Sequence, residues 1–73
     1  MNVSINMYAL KCKEGYIKVE ADGGKIVGMN KASVYGSMES LRTAVEGIEL
    51  PEGILVVELI ISEREIGSLD TVE

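Results

Sequence analysis

Histidine, tryptophan and phenylalanine are missing from this chain, and it has a single cysteine and a single proline. Each shortage excludes something. Without histidine, general acid–base catalysis near neutral pH loses its commonest group. With only one thiol as well, the usual ligands of a zinc site are missing, and neither a metal nor a cofactor is expected. Cys12 has no partner for an internal disulfide, and a lone cysteine fits a reducing, cytoplasmic setting. No basic stretch followed by an apolar one opens the chain, so no signal peptide is expected. Asn at position 2 speaks against a myristoylation signal. The longest apolar runs, residues 54–57 and 59–61 on either side of Glu58, are too short to cross a bilayer, so no membrane partner is expected.

What is present suits one small folded unit. Of 73 residues, 47% are hydrophobic and 26% charged, the composition of a globular chain and not of a disordered tail. A single core in so short a chain supplies only about 3–5 kcal/mol, and small scaffolds lean on disulfides, metals or partner chains. With the first two absent, self-association is the expected support. Charge is unevenly divided. Residues 1–37 carry five lysines against three acids, and residues 38–73 carry two arginines against nine acids, within a net charge of −5. Phosphate backbones need several cations on one surface, so direct nucleic-acid binding is not expected. The acidic half serves solubility, or else meets a basic partner through Glu39, Glu46, Glu49 and Glu52.

Periodicity predicts an α+β fold with an antiparallel sheet in the order β-β-β-α-β and one short helix packed on one face. Over residues 3–11, Val3, Ile5, Met7 and Ala9 alternate with Asn2, Ser4, Asn6 and Tyr8, the two-residue period of a half-buried strand. Lys13-Glu14-Gly15 marks a turn, and residues 16–21 alternate again, with Ile17, Val19 and Ala21 on one face and Tyr16, Lys18 and Glu20 on the other. Asp22-Gly23-Gly24 is the strongest turn signal. A third strand is expected over residues 25–29, with Gly28 suggesting a bulge, and a short extended piece over 32–35. Ser37 is a good helix N-cap, and Met38, Leu41, Ala44, Val45 and Ile48 form one apolar stripe that Gly47 and Pro51 bring to an end. Residues 54–61 are apolar on both faces, one face fit to cover the helix and the other without a cover of its own. A homo-oligomer built across that strand resolves this, with Ile54, Val56, Glu58 and Ile60 as the expected interface. The domain is placed at residues 1–66, followed by a polar, mobile tail over 67–73.

The residues that could carry chemistry are few. Cys12 lies between Lys11 and Lys13, which could stabilise a thiolate, but no base accompanies it, and it is read as a turn or edge residue. Glu63 and Glu65 share a strand face and are read as a solvated strand end. Gly23, Gly24, Lys25 and Gly28 do not make a phosphate loop, because the glycines join two strands and not a strand to a helix. Binding is the stronger possibility. Tyr8 and Tyr16 are placed on the polar faces of adjacent strands near their shared turn, where they could stack on a planar ligand, with Lys11, Lys13 and Lys18 near to meet phosphates. Ser37 and the amides after it could hold an anion. Tyr8, Tyr16, Lys18, Tyr35 and Ser37 are therefore the candidate ligand contacts.

The segment Lys31, Ala32, Val34, Tyr35 followed by Ser37 at a helix start, set after three strands and before a last one, resembles small accessory proteins encoded by bacteriophages and prophages. That resemblance implies a counter-defence role, by sequestering a nucleotide signal in an oligomer or by occluding a host protein. The expected function is thus a non-catalytic binding protein that captures a nucleotide-like small molecule in a homo-oligomer. The alternatives are an acidic inhibitor that imitates nucleic acid and blocks a host protein, and an interaction domain without a ligand. An enzyme is not expected.

Overall fold

The computed structural model describes residues 3–70. Its backbone is a five-stranded antiparallel sheet with one helix, an α+β fold. Strand β1 (Val3–Cys12) turns at Lys13–Glu14 into β2 (Gly15–Glu20), and β2 turns at Ala21–Asp22 into β3 (Gly23–Val27). A single 3₁₀ turn, Met29–Lys31, leads to the short β4 (Val34–Tyr35). Helix α1 (Met38–Ala44) follows, and β5 (Leu55–Glu63) closes the sheet.

Strand β1 organises the whole. Along one edge it pairs with β5 over its first nine residues, from Val3 opposite Glu63 to Lys11 opposite Leu55. Its other edge is shared between β4, at Tyr8 and Ala9, and β2, at Lys11 and Cys12. Residues 3–7 therefore have a strand on one side only. Beyond Tyr8, β1 and β5 project from the body as a bare two-stranded ribbon. The dimensions follow from this: the molecule measures 46 × 24 × 21 Å and its radius of gyration is 15.1 Å, against about 11 Å for a compact chain of this length. Its accessible surface is 5767 Å² at 7.9 kDa, where a compact monomer of that mass exposes about 4,400 Å².

The core lies in the head, at the end away from the ribbon tip. Leu10 and Cys12 of β1, Ile17 of β2 and Leu41 of α1 are buried together, walled by Tyr8, Val19, Tyr35, Val45, Leu50 and Ile54. Helix α1 thus covers the Tyr8–Leu10–Cys12 face of β1. The alternation Ile5, Met7, Ala9 marks the opposite face: Ala9 is buried there, but Ile5 stands out in solvent. A seven-residue helix does not hold itself together in water, so α1 persists through packing by Leu41 and through its cap. The Ser37 hydroxyl accepts from the Ser40 amide at 3.1 Å, and Gly47 at φ 71° ends the helical region in a conformation that suits glycine.

Three hydrogen bonds fasten the connections to the hairpin. The Val19 amide donates to Ser33 Oγ at 2.9 Å, and the Ser33 amide donates to the Ile17 carbonyl at 3.1 Å. The Gly24 amide donates to the Glu49 carbonyl at 3.0 Å. That close approach requires glycine: a Cβ at Gly24 would lie 2.8 Å from Leu50 Cδ2 and 3.0 Å from Ile17 Cγ2. The structure places β3 two residues earlier than the pattern suggests, and Gly28, expected as a bulge, precedes the 3₁₀ turn instead. The tail expectation is covered in part. Residues 64–70 are exposed and without regular strand or helix, while Asn2 and residues 71–73 lie outside the described residues.

Candidate functional site

The five candidate ligand contacts fall on two sides of the sheet. Tyr8 and Tyr35 stand opposite each other in the β1–β4 ladder and lean on the core beneath α1. Ser37 follows on that side, with its oxygen already used: it accepts from the Ser40 amide, and its hydroxyl donates to Ser40 Oγ at 3.1 Å. Tyr16 and Lys18 are on the far face, because Tyr16 pairs with Lys11, and successive side chains of a strand alternate. Tyr8 and Tyr16 therefore do not share a face, contrary to the expectation from their positions near one turn. The one-residue offset of the pairing decides it: Lys11, not a residue in step with Tyr8, sits opposite Tyr16.

The far face carries a short basic stripe. The Lys11 ammonium lies over the Tyr16 ring at 5.6 Å from its centre, and Lys18 stands opposite Lys25. Carboxylates already attend two of these lysines, with Lys18 to Glu20 at 3.7 Å and Lys25 to Asp22 at 3.5 Å. Exposed pairs of this kind hold little energy, and they reduce the net charge the stripe offers an anion.

Cys12 is corrected from an edge or turn residue to a core residue. It ends β1, but its side chain points under α1 and is 3% exposed. Among the described residues no group of three or more histidine, cysteine, aspartate or glutamate side chains converges as metal ligands, and Glu63 and Glu65 are exposed. Glu39, Glu46, Glu49 and Glu52 are exposed as well. Among the described residues no helix is long and apolar enough to cross a membrane.

Strand β5 exposes large aliphatic side chains along its whole length, from the head to the ribbon tip. Among the described residues, strand β5 has β1 on one edge and no strand on the other. On one of its faces Val56 is 48% exposed and Ile60 69%; on the other, Leu55 is 61% exposed and Ile61 48%. Ile54, grouped with Val56, Glu58 and Ile60 in the sequence reading, instead packs half-buried against the core, where it joins strand to head. Neither face of the outer ribbon is covered by the helix, contrary to the expectation that one face of residues 54–61 would cover it. Near the tip, Ile5, Ile61, Ser62 and Glu63 line an open depression of about 150 Å³. Ile5 and Ile61 were not singled out from the sequence as surface residues. The signal for them was the small polar pair Ser4 and Asn6 on the reverse of Ile5, which gives a helix nothing to pack on.

Comparison of the chain with family models, with curated proteins and with solved structures found no match. None of these comparisons links the chain to phage accessory proteins.

Proposed function

We propose that this chain acts without catalysis, as a protein-interaction module that docks through its β1–β5 ribbon. One observation carries the reading: a two-stranded ribbon with exposed aliphatic side chains, Ile5 and Ile61 on one face and Ile60 among polar residues on the other, projects with open edges from a head that has its own core. An isolated pair of strands is marginal in water. Exposed aliphatic side chains on an open edge invite strand addition by another chain. Hiding an aliphatic side chain is worth about 1.5–3 kcal/mol when complete. Ile5, Leu55, Val56, Ile60 and Ile61 thus hold much of the apolar burial that this short chain leaves unused. Stoichiometric occlusion of a host protein, the role implied by the phage likeness, is one form such a module takes. Capture of a nucleotide has less support, because its five candidate contacts lie on opposite faces.

The test is a chain with Ile5→Thr, Ile60→Thr and Ile61→Thr together. Threonine keeps the β-branched shape that strands favour while removing apolar surface. The tyrosine near-ultraviolet circular dichroism reports the head, since Tyr8 and Tyr35 pack on its core. The expected result is that this signal survives. Its loss would overturn the reading, since the ribbon residues would then be holding up the chain's own fold.

A further inference from the structure

The open edge of β5 carries a pattern that is complementary to itself. Resting on the interaction reading above, we infer that the occupant of this edge is a second copy of the chain, paired β5 to β5, antiparallel, about a two-fold axis at Ile61. The surface area fits. The chain exposes 5767 Å², an excess of roughly 1,300 Å² over a compact monomer. A standard interface takes about 800 Å² from each partner.

Charge selects the register. An axis perpendicular to the sheet keeps like faces together, so each residue meets one of its own parity. An axis at Glu58 or at Glu63 sets like charges directly opposite, which is unfavourable. An axis at Ile61 sets Glu58 opposite Arg64 of the second copy, and by symmetry does so twice. Neither residue is in an ion pair among the described residues. Glu58 is held in place for this role by the Asn6 amide, which donates to its Oε2 at 3.2 Å. The same register lays Val56 against Ile66, which are 48% and 68% exposed, and Ile61 against itself. It also explains an odd feature of the chain. Residues 64–66 lie just past the end of β1, without a strand partner, yet include an arginine and a large aliphatic side chain. In the pair they continue β5 and meet Val56 to Glu58. The result is a closed, isologous assembly in which both copies contribute to one sheet running β1-β5-β5-β1.

The test uses the full chain. Sedimentation equilibrium should give twice the monomer mass, and Glu58→Arg or Arg64→Glu alone should weaken the dimer roughly tenfold or more. The double variant carrying both changes should regain the wild-type mass. An Ile61→Cys chain should form a disulfide dimer under mild oxidation, because facing residues of antiparallel strands sit about 4.5–5.5 Å apart; a Val56→Cys chain should not, and neither should the wild type, whose thiol is buried. A wild-type monomer at millimolar concentration overturns the inference, as does a dimer indifferent to both charge reversals, or failure of the Ile61→Cys chain to cross-link. If the triple threonine chain keeps its head fold while the wild type is monomeric, the interaction reading stands and only the second copy falls. If the triple variant loses the head signal, the interaction reading itself falls.

Discussion

Asn6 reaches diagonally across the β1–β5 ladder to Glu58, its side-chain amide donating to the carboxylate at 3.2 Å. This is a polar clasp at the base of the ribbon, between residues 52 apart in sequence. It is exposed, so water competes for both groups. Asn6→Ala is expected to cost the isolated chain less than about 1 kcal/mol, read from the urea midpoint. A loss of several kcal/mol would mean that the ribbon is a structural part of the head and not a projection from it.

Cys12 gives a sharper test of the fold. Its thiol is buried between Leu10, Ile17 and Leu41, so reagents reach it only when the head opens. Ellman's reagent is expected to label the native chain far more slowly than the urea-unfolded chain. Cys12→Ser should destabilise by about 1–3 kcal/mol, since a buried hydroxyl would enter a site with apolar neighbours. Labelling at equal rates in both states would put the thiol back at the surface, where the sequence pattern alone places it.

The contrast between these two residues shows what was legible. Turns, cap and strand periods depend on neighbours in the chain, so Lys13–Glu14, Ser37 and the stretch ending at Ile61 could be recognised directly. Alternation along β1 also showed which side chains share a face. It could not show which face α1 would cover, because that depends on how residues 28–54 travel from β3 to β5. Val3, Ile5 and Met7 formed the cleaner apolar row, while the head was assembled on Tyr8, Leu10 and Cys12. The candidate ligand site failed for the same reason. Tyr8 and Tyr16 looked close in sequence, and the register of a two-residue turn put them on opposite sides. The apolar double face of β5 was visible in the sequence, and so was its need for cover. That both faces would stay open followed only from its pairing with β1 beyond the head.

Gly24 sits where β3 meets the segment leading to β5. Its amide bonds to Glu49, and the space where a Cβ would go is filled by Leu50 and Ile17. Leu50 Cδ2 can rotate away, but Ile17 is fully buried and has nowhere to move. Gly24→Ala is therefore expected to destabilise by about 1–3 kcal/mol in urea unfolding, the usual cost of overpacking. A neutral or stabilising result would show that the 49–51 segment is loosely held against the hairpin.

Ser37 separates a cap from a ligand contact. Its oxygen accepts from the Ser40 amide at 3.1 Å, and α1 has only seven residues to carry Leu41 into the core. Ser37→Ala removes that acceptor and is expected to cost about 0.5–2 kcal/mol, while Ser37→Asp keeps an acceptor and adds a charge that suits the first turn. Stability measured by urea unfolding should thus fall in the alanine chain and stay near wild type in the aspartate chain. If the hydroxyl instead served an anion, the aspartate would repel it, and added phosphate would stabilise the wild type but not Ser37→Asp. Equal stability of all three chains without phosphate, together with a phosphate effect seen only in the wild type, would move Ser37 from the helix start to a binding site.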